Sequence, residues 1–213
     1  MADRHQSAPA RRPYHSPTRQ RQAEDTRRRI LDAARALFRE AGYAGTTLDA
    51  IAAAAGVSPK TVSAFGSKRG LLAALVDPVA SGRRFQELLG DLRAATDPRR
   101  RVELAARLTR QVYEAWAPEF DLLRGAGAVA PELAKVARQV GARRRQNQTR
   151  LIAYLSDQGV LQSGLAPEEA TDVLWALTGY DLYRALVVEC GWAPERYEAW
   201  LADVLSQRLL APR

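Results

Sequence analysis

The stretch TTLDAIAAAAGVSPKTVS, residues 46–63, decides the fold. Thr47 stands where a helix N-cap is wanted, and Leu48, Ile51 and Ala52 follow on one face of a short helix. Gly56 ends that helix. Ser58 followed by Pro59 is a cap with proline at the first helical position, where the missing N–H has no partner to lose and the fixed φ suits a helix. A second short helix therefore opens at Pro59 and runs through Val62. Two short helices joined by Ala55-Gly56-Val57-Ser58 form a helix-turn-helix pattern. In such a unit the second helix enters the major groove of B-DNA with its N-terminal residues toward base edges. Here those residues are Ser58, Pro59, Lys60, Thr61 and Ser63. The spacing also occurs in ordinary helical bundles, so charge has to arbitrate.

It does so by its distribution. The 213 residues carry a net +8, and residues 1–76 alone hold 13 Lys+Arg against 6 Asp+Glu. Residues 77–213 are nearly balanced, at 19 against 18. The excess sits on the helix-turn-helix third, where a polyanion would bind. Thr46 and Thr47 are expected to offer hydroxyls and backbone N–H groups to phosphate, and Lys68 at the next helix start a phosphate-seeking cation. Arg27, Arg28 and Arg29 cluster where the first helix is expected to begin, a poor place for cations on macrodipole grounds unless an external anion is present.

Outward from this core the chain reads as helix throughout. Ile30, Ala34, Leu37, Phe38 and Ala41 stripe a first helix ended by Gly42, and Ser67 caps a fourth carrying Leu71, Leu72 and Leu75 up to Pro78. Residues 1–23 are polar, basic and proline-rich and read as a disordered tail. Pro98, Pro118, Pro131, Pro167 and Pro194 each precede an apolar run and read as helix starts. Helices are expected over 167–190 and 195–210. The expectation is an all-α chain of about nine helices: a three-helix DNA-binding domain over 24–83, then a helical bundle over 84–213.

The same composition excludes most enzyme classes. Both histidines, His5 and His15, lie in the tail, so the folded body holds no imidazole base and no histidine for a metal site. The carboxylates Glu168, Glu169, Asp172 and Asp181 have no chemistry-bearing partners at a telling spacing, and no metal or cofactor is expected. One cysteine, Cys190, forms no internal disulfide. With neither a secretory segment nor an 18-residue apolar run, the chain reads as soluble and cytoplasmic, with no membrane partner.

The runs Ile30–Phe38, Gly42-Tyr43, Thr46–Ala52, Ala55–Ser58 and Gly66-Ser67-Lys68 with Leu71-Leu72 resemble the N-terminal domain of TetR/AcrR-type transcriptional regulators. The specific likeness spans residues 24–76. It departs from the family pattern after Thr61-Val62, where Ser63-Ala64-Phe65 lacks the usual Tyr and one residue. That deletion rotates the downstream residues by about 100° on a helix. A helical-bundle interaction protein, or a weak DNA binder with an altered recognition helix, is the alternative this departure leaves open.

The resemblance implies a homodimer paired through its last two long helices, placing two heads in major grooves about 34–36 Å apart on a pseudo-palindromic operator. It also implies a small-molecule effector that releases DNA. All four Trp and five of seven Tyr lie beyond residue 112. Tyr113, Trp116, Phe120, Tyr154 and Trp175 are the expected pocket; Val173, Leu177, Tyr197, Trp200, Leu201, Val204 and Leu205 are the expected dimer seam. Aromatic residues at helical spacing more often form core than a ligand box. Arg99–Arg101 and Arg143–Arg145 read as solvated faces, with an anionic ligand or DNA as the other option.

Overall fold

The computed structural model describes residues 17–76, 83–126 and 131–212. Among them are ten α-helices and no β-strand: α1 Pro17–Gly45, α2 Leu48–Ala55, α3 Pro59–Phe65, α4 Lys68–Leu75, α5 Arg83–Ala94, α6 Pro98–Ala126, α7 Pro131–Asp157, α8 Pro167–Leu177, α9 Tyr180–Tyr183 and α10 Pro194–Leu209. A π-helical stretch, Arg184–Glu189, continues α9. No helix among the described residues is long and apolar enough to cross a membrane. The head is α1–α4 and the body α5–α10.

Helix α1 starts at Pro17, so residues 17–23 are helical where a disordered tail was expected; residues 1–16 lie outside the described residues. Once the apolar stripe from Ile30 has nucleated a helix, extending it through straight-chain polar residues costs little. Arg27–Arg29 consequently lie well past the first turn, and the macrodipole argument for an anion there lapses. At the far end Gly42 breaks the helical path at φ 69°, ψ 175°, a conformation that favours glycine.

Two cores hold the molecule. The head core gathers Ile30, Ala34 and Phe38 of α1, Ile51 and Ala52 of α2, Val62 of α3 and Leu71, Leu72 and Leu75 of α4. It is completed by Leu123 of α6 and by Leu133 and Val136 of α7. The body core packs Val102, Ala106 and Tyr113 of α6 against Ile152 and Leu155 of α7, Leu174 of α8 and Tyr197, Leu201, Leu205 and Leu209 of α10.

Helix α6 thus serves both cores, and it changes direction between them. Trp116 leaves helical geometry at φ −127°, ψ 17°, two residues before Pro118. Pro118 lies inside α6 and does not begin a helix, unlike Pro98, Pro131, Pro167 and Pro194. It cannot donate to the carbonyl of Glu114, and its ring crowds that carbonyl, which bends the helix. Just beyond the bend Glu119 is 2% exposed and accepts from Arg35 Nε at 2.9 Å and Arg39 Nη2 at 3.2 Å, tying the body to α1.

The expected helix over 167–190 is broken at Thr178-Gly179. The carbonyl of Thr178 is taken by Tyr113 Oη and Arg144 Nη1, both at 2.8 Å, and Gly179 adopts an extended backbone. Donors from α6 and α7 compete for an acceptor that a continuous helix would use. The dimer-seam expectation also needs correction. Tyr197, Leu201 and Leu205 are fully buried in the single chain, against α6 and α8, and have no surface left for a second copy. Val173, Leu177, Trp200 and Val204 remain half-buried.

Candidate nucleic-acid interface and ligand cavity

Each short helix of the head is pinned by a hydroxyl cap. Thr47 Oγ1 accepts from Ala50 N at 3.1 Å, Ser58 Oγ from Thr61 N at 3.1 Å, and Ser67 Oγ from Gly70 N at 3.2 Å. Gly56, at φ 63°, ψ 40°, makes the tight turn between α2 and α3. The turn and caps present the start of α3 to solvent: Ser58, Pro59, Lys60 and Ser63 are exposed, and Thr61 is half-buried with its hydroxyl 2.8 Å from that of Ser58. Thr47, at the start of α2, is exposed as well.

Of the four other expected contacts, Thr46 and Lys68 are turned inward, whereas Arg27 and Arg28 stay exposed. Thr46 is 2% exposed and donates to Gly42 O at 2.8 Å and Leu37 O at 3.1 Å, so its hydroxyl closes the end of α1 and does not meet phosphate. Lys68 turns inward as well. Its ammonium donates to Tyr43 O and Thr46 O, both at 2.8 Å, and lies 4.5 Å from the centre of the Tyr43 ring. The break at Gly42 frees carbonyls that attract a cation, and Lys68 satisfies them. Arg28 pairs with Asp25 at 2.9 Å on the surface. Arg27 lines a cavity beneath the head. The shortened segment after Val62 ends α3 at Phe65, whose ring is 37% exposed and does not anchor α4.

That cavity, of about 890 Å³, lies between the two cores. Val76, Leu123 and Val136 of the head core and Ala105, Leu151 and Leu174 of the body core share its walls. Three of the five expected pocket residues line it: Tyr113, Phe120 and Trp175. Phe120 makes an edge contact with Tyr113 and stacks on Tyr180, with ring centres 5.1 Å apart in both pairs. Trp116 faces an adjoining, smaller cavity that shares Phe85 and Leu108 with the first. Tyr154 lines neither; its hydroxyl donates to Thr96 O at 2.7 Å and the Arg101 guanidinium covers its ring at 3.3 Å.

The polar wall comes from α7. Arg144 stacks on Trp175 at 3.6 Å and donates to Trp175 O and Thr178 O, so it is not a solvated face. Burial lowers its pKa from the ordinary guanidinium value, against the raising effect of Tyr113. Burial likewise pushes the Tyr113 phenol up, with Arg144 pulling the other way. Thr178 spends its one hydroxyl proton on Leu174 O at 2.6 Å, so it can only accept from Gln148 Nε2, also at 2.6 Å. Gln148 Oε1 is left buried without a partner. Neither Gln148 nor Glu119 carries a sequence signal of its own. Arg35 and Arg39, four apart on one face of α1, are the only hint that a shared anion sits between them.

The family model for bacterial regulatory proteins of the tetR family matches residues 30–75. Among solved structures the chain is similar to a TetR-family transcriptional regulator from Syntrophomonas wolfei, at 18% identity and TM-score 0.71 over 86% of this chain and 94% of that one. It is also similar to SmeT in complex with triclosan, at 24% identity and TM-score 0.70 over 87% and 91%. A third likeness is to FadR from Bacillus subtilis in complex with stearoyl-CoA, at 16% identity and TM-score 0.68 over 84% and 96%. At these identities the likeness is one of fold. No curated protein matches the sequence.

Proposed function

We propose that this chain, whose residues 30–75 are a tetR-family regulatory domain on the fold of TetR-family transcriptional regulators, is a ligand-responsive repressor that binds a pseudo-palindromic operator as a homodimer. The observation that carries the reading is the surface of α3. A capped, rigid helix start exposes Ser58, Pro59, Lys60 and Ser63 on the third of the chain that bears nearly all the positive charge. Lys60 donates to guanine or phosphate, Thr61 and Ser63 exchange hydrogen bonds with base edges, and Thr47 contacts phosphate. The protein acts in the cytoplasm at the nucleoid, with residues 1–16 adding to the positive charge of the N-terminal third.

The division of labour is a DNA-binding domain over 24–83 and an effector and dimer domain over 84–213. Two copies pair through the half-buried Val173, Leu177, Trp200 and Val204 of α8 and α10, setting two α3 helices about 34–36 Å apart. The effector site is the cavity between the cores. Complexes of SmeT with triclosan and of FadR with stearoyl-CoA support that reading. A ligand against Phe120 sits one residue from Glu119, so it acts on the bend in α6 and, through Arg35 and Arg39, on the angle of α1. It shifts the head only by its differential affinity for the two arrangements.

A mobility-shift titration against the DNA upstream of its own gene tests the reading. A specific complex is expected, and Lys60→Ala should weaken it by about 1–3 kcal/mol if Lys60 reads a base. A uniform loss over all sequences, with a salt slope shallower by about one, assigns Lys60 to phosphate instead. A folded dimer that gives no shift at low salt overturns the repressor reading and favours a helical-bundle interaction protein. The exposed Phe65 ring at the end of the shortened α3 is the observation behind that second reading.

A further inference from the structure

We infer that the molecule this cavity accepts is an amphipathic anion: a flat apolar body carrying a carboxylate, sulfonate or comparable group. The inference rests on the reading of the cavity as an effector site and specifies what enters it. Four guanidinium groups line the cavity, those of Arg27, Arg124, Arg143 and Arg144, against one carboxylate, that of Asp181. Asp181 and Arg124 lie 3.6 Å apart in an exposed pair and offset each other.

Arg144 is the sharpest observation. It is half-buried in the wall, and its hydrogen bonds go to two carbonyls and one hydroxyl, with the Trp175 ring beneath it. All of these partners are neutral. Burial lowers its pKa, as it would for a cation lacking a counter-ion, and the phenols beside it, Tyr113 and Tyr197, are themselves kept protonated by burial. Dipoles hold the guanidinium in place without cancelling its charge, and a partly desolvated wall leaves that charge poorly screened. An anion beside Arg144 supplies the missing partner.

The remaining groups fit the same ligand. Arg27, Arg124 and Arg143 are exposed yet line the cavity, which places them at its opening. They come from three helices, α1, α6 and α7, and even with Arg124 paired to Asp181 the lining keeps a net positive charge. The apolar lining includes Phe120, Tyr180, Leu89 and Leu108, which suits an aromatic or aliphatic body. The volume suits a drug-sized molecule. Arg27 also belongs to the head, so a bound anion touches the reading domain directly.

The experiment compares two probes of one shape. 8-Anilinonaphthalene-1-sulfonate and N-phenyl-1-naphthylamine differ by the sulfonate alone. Isothermal titration of the full chain without DNA should give one site per chain for both, with the sulfonate tighter by about tenfold, as for a charge-assisted contact in a partly dry site. The double variant Arg27→Gln/Arg143→Gln changes exposed side chains only and should shrink the preference to about threefold, whereas Arg144→Gln should bring the two affinities within about twofold of each other. A melting curve checks that each variant is folded; the double variant decides if Arg144→Gln is not. Equal affinity of the two probes for the unmodified protein overturns the inference while leaving the cavity as a ligand site. An undiminished sulfonate preference in the folded double variant and in folded Arg144→Gln also overturns it. Failure of both probes to bind at one site per chain removes the cavity reading itself.

Discussion

The head and the body build helices by different means. In the head α2, α3 and α4 are seven or eight residues long, and each begins with a Thr or Ser whose side chain accepts a backbone N–H. In the body α8 and α10 follow Ala166 and Ala193, with proline at the first turn and no side-chain cap. Helices of two turns are marginal alone, so local hydrogen bonds have to define where they begin. Longer helices draw their stability from a buried face and tolerate a bare start. On the proposed function, locally specified helices suit a surface that must match a DNA groove, and helices held by packing suit the walls of a ligand site.

The point where the two systems meet gives the largest expected effect. Glu119 is buried, whereas Arg35 and Arg39 retain access to water. Removing both guanidiniums by Arg35→Ala/Arg39→Ala strands a carboxylate in the interior and should cost about 3–5 kcal/mol in urea unfolding. Glu119→Gln leaves a neutral acceptor with two donors that can turn to solvent, and should cost about 1–2 kcal/mol. The sign of this asymmetry is the test. Equal costs would mean that the pair contributes as a surface contact does and that apolar packing, including Leu123, Leu133 and Val136, joins head to body.

Next come the helix starts. Thr47→Ala or Ser67→Ala should each cost about 1 kcal/mol, and Ala193→Ser, which adds a cap the body lacks, should gain a few tenths. Equal and negligible effects in both regions would break the contrast. The same contrast explains how much of the molecule was legible in its sequence. Thr47, Gly56, Ser58 and Pro59 act on neighbours within four residues, so their identities already encode their geometry. The inward turn of Lys68 was not legible, because it answers carbonyls that the break at Gly42 presents 22 and 25 residues upstream. Nor was the partner of the Tyr197–Leu205 stripe. Periodicity says that a face is buried, but not whether α6 of the same chain or a second copy buries it. The break at Thr178 depends on Tyr113 and Arg144, 65 and 34 residues away, and no local pattern announces it.

The smallest effect lies inside the body core. Tyr197 is fully buried and its hydroxyl has no partner, so packing alone holds the ring. Tyr113 is buried too, but its hydroxyl serves Thr178. At neutral pH Tyr197→Phe should therefore be neutral or stabilising by up to about 1 kcal/mol, while Tyr113→Phe should cost about that much. Alkali should separate them further from the unmodified chain. Burial is the main cause that raises the Tyr197 pKa, with Tyr113 and Tyr183 adding to it and Arg144 opposing. An unfolded tyrosine ionises near pH 10, whereas the buried one stays protonated. The stabilising effect of that protonated form is complete below about pH 10 and is lost as pH rises toward the higher folded value. Urea midpoints at neutral pH and at about pH 11 should fall less for Tyr197→Phe than for the unmodified protein. An identical fall would mean that the ring reaches solvent, and that the body core opens more readily than its packing implies.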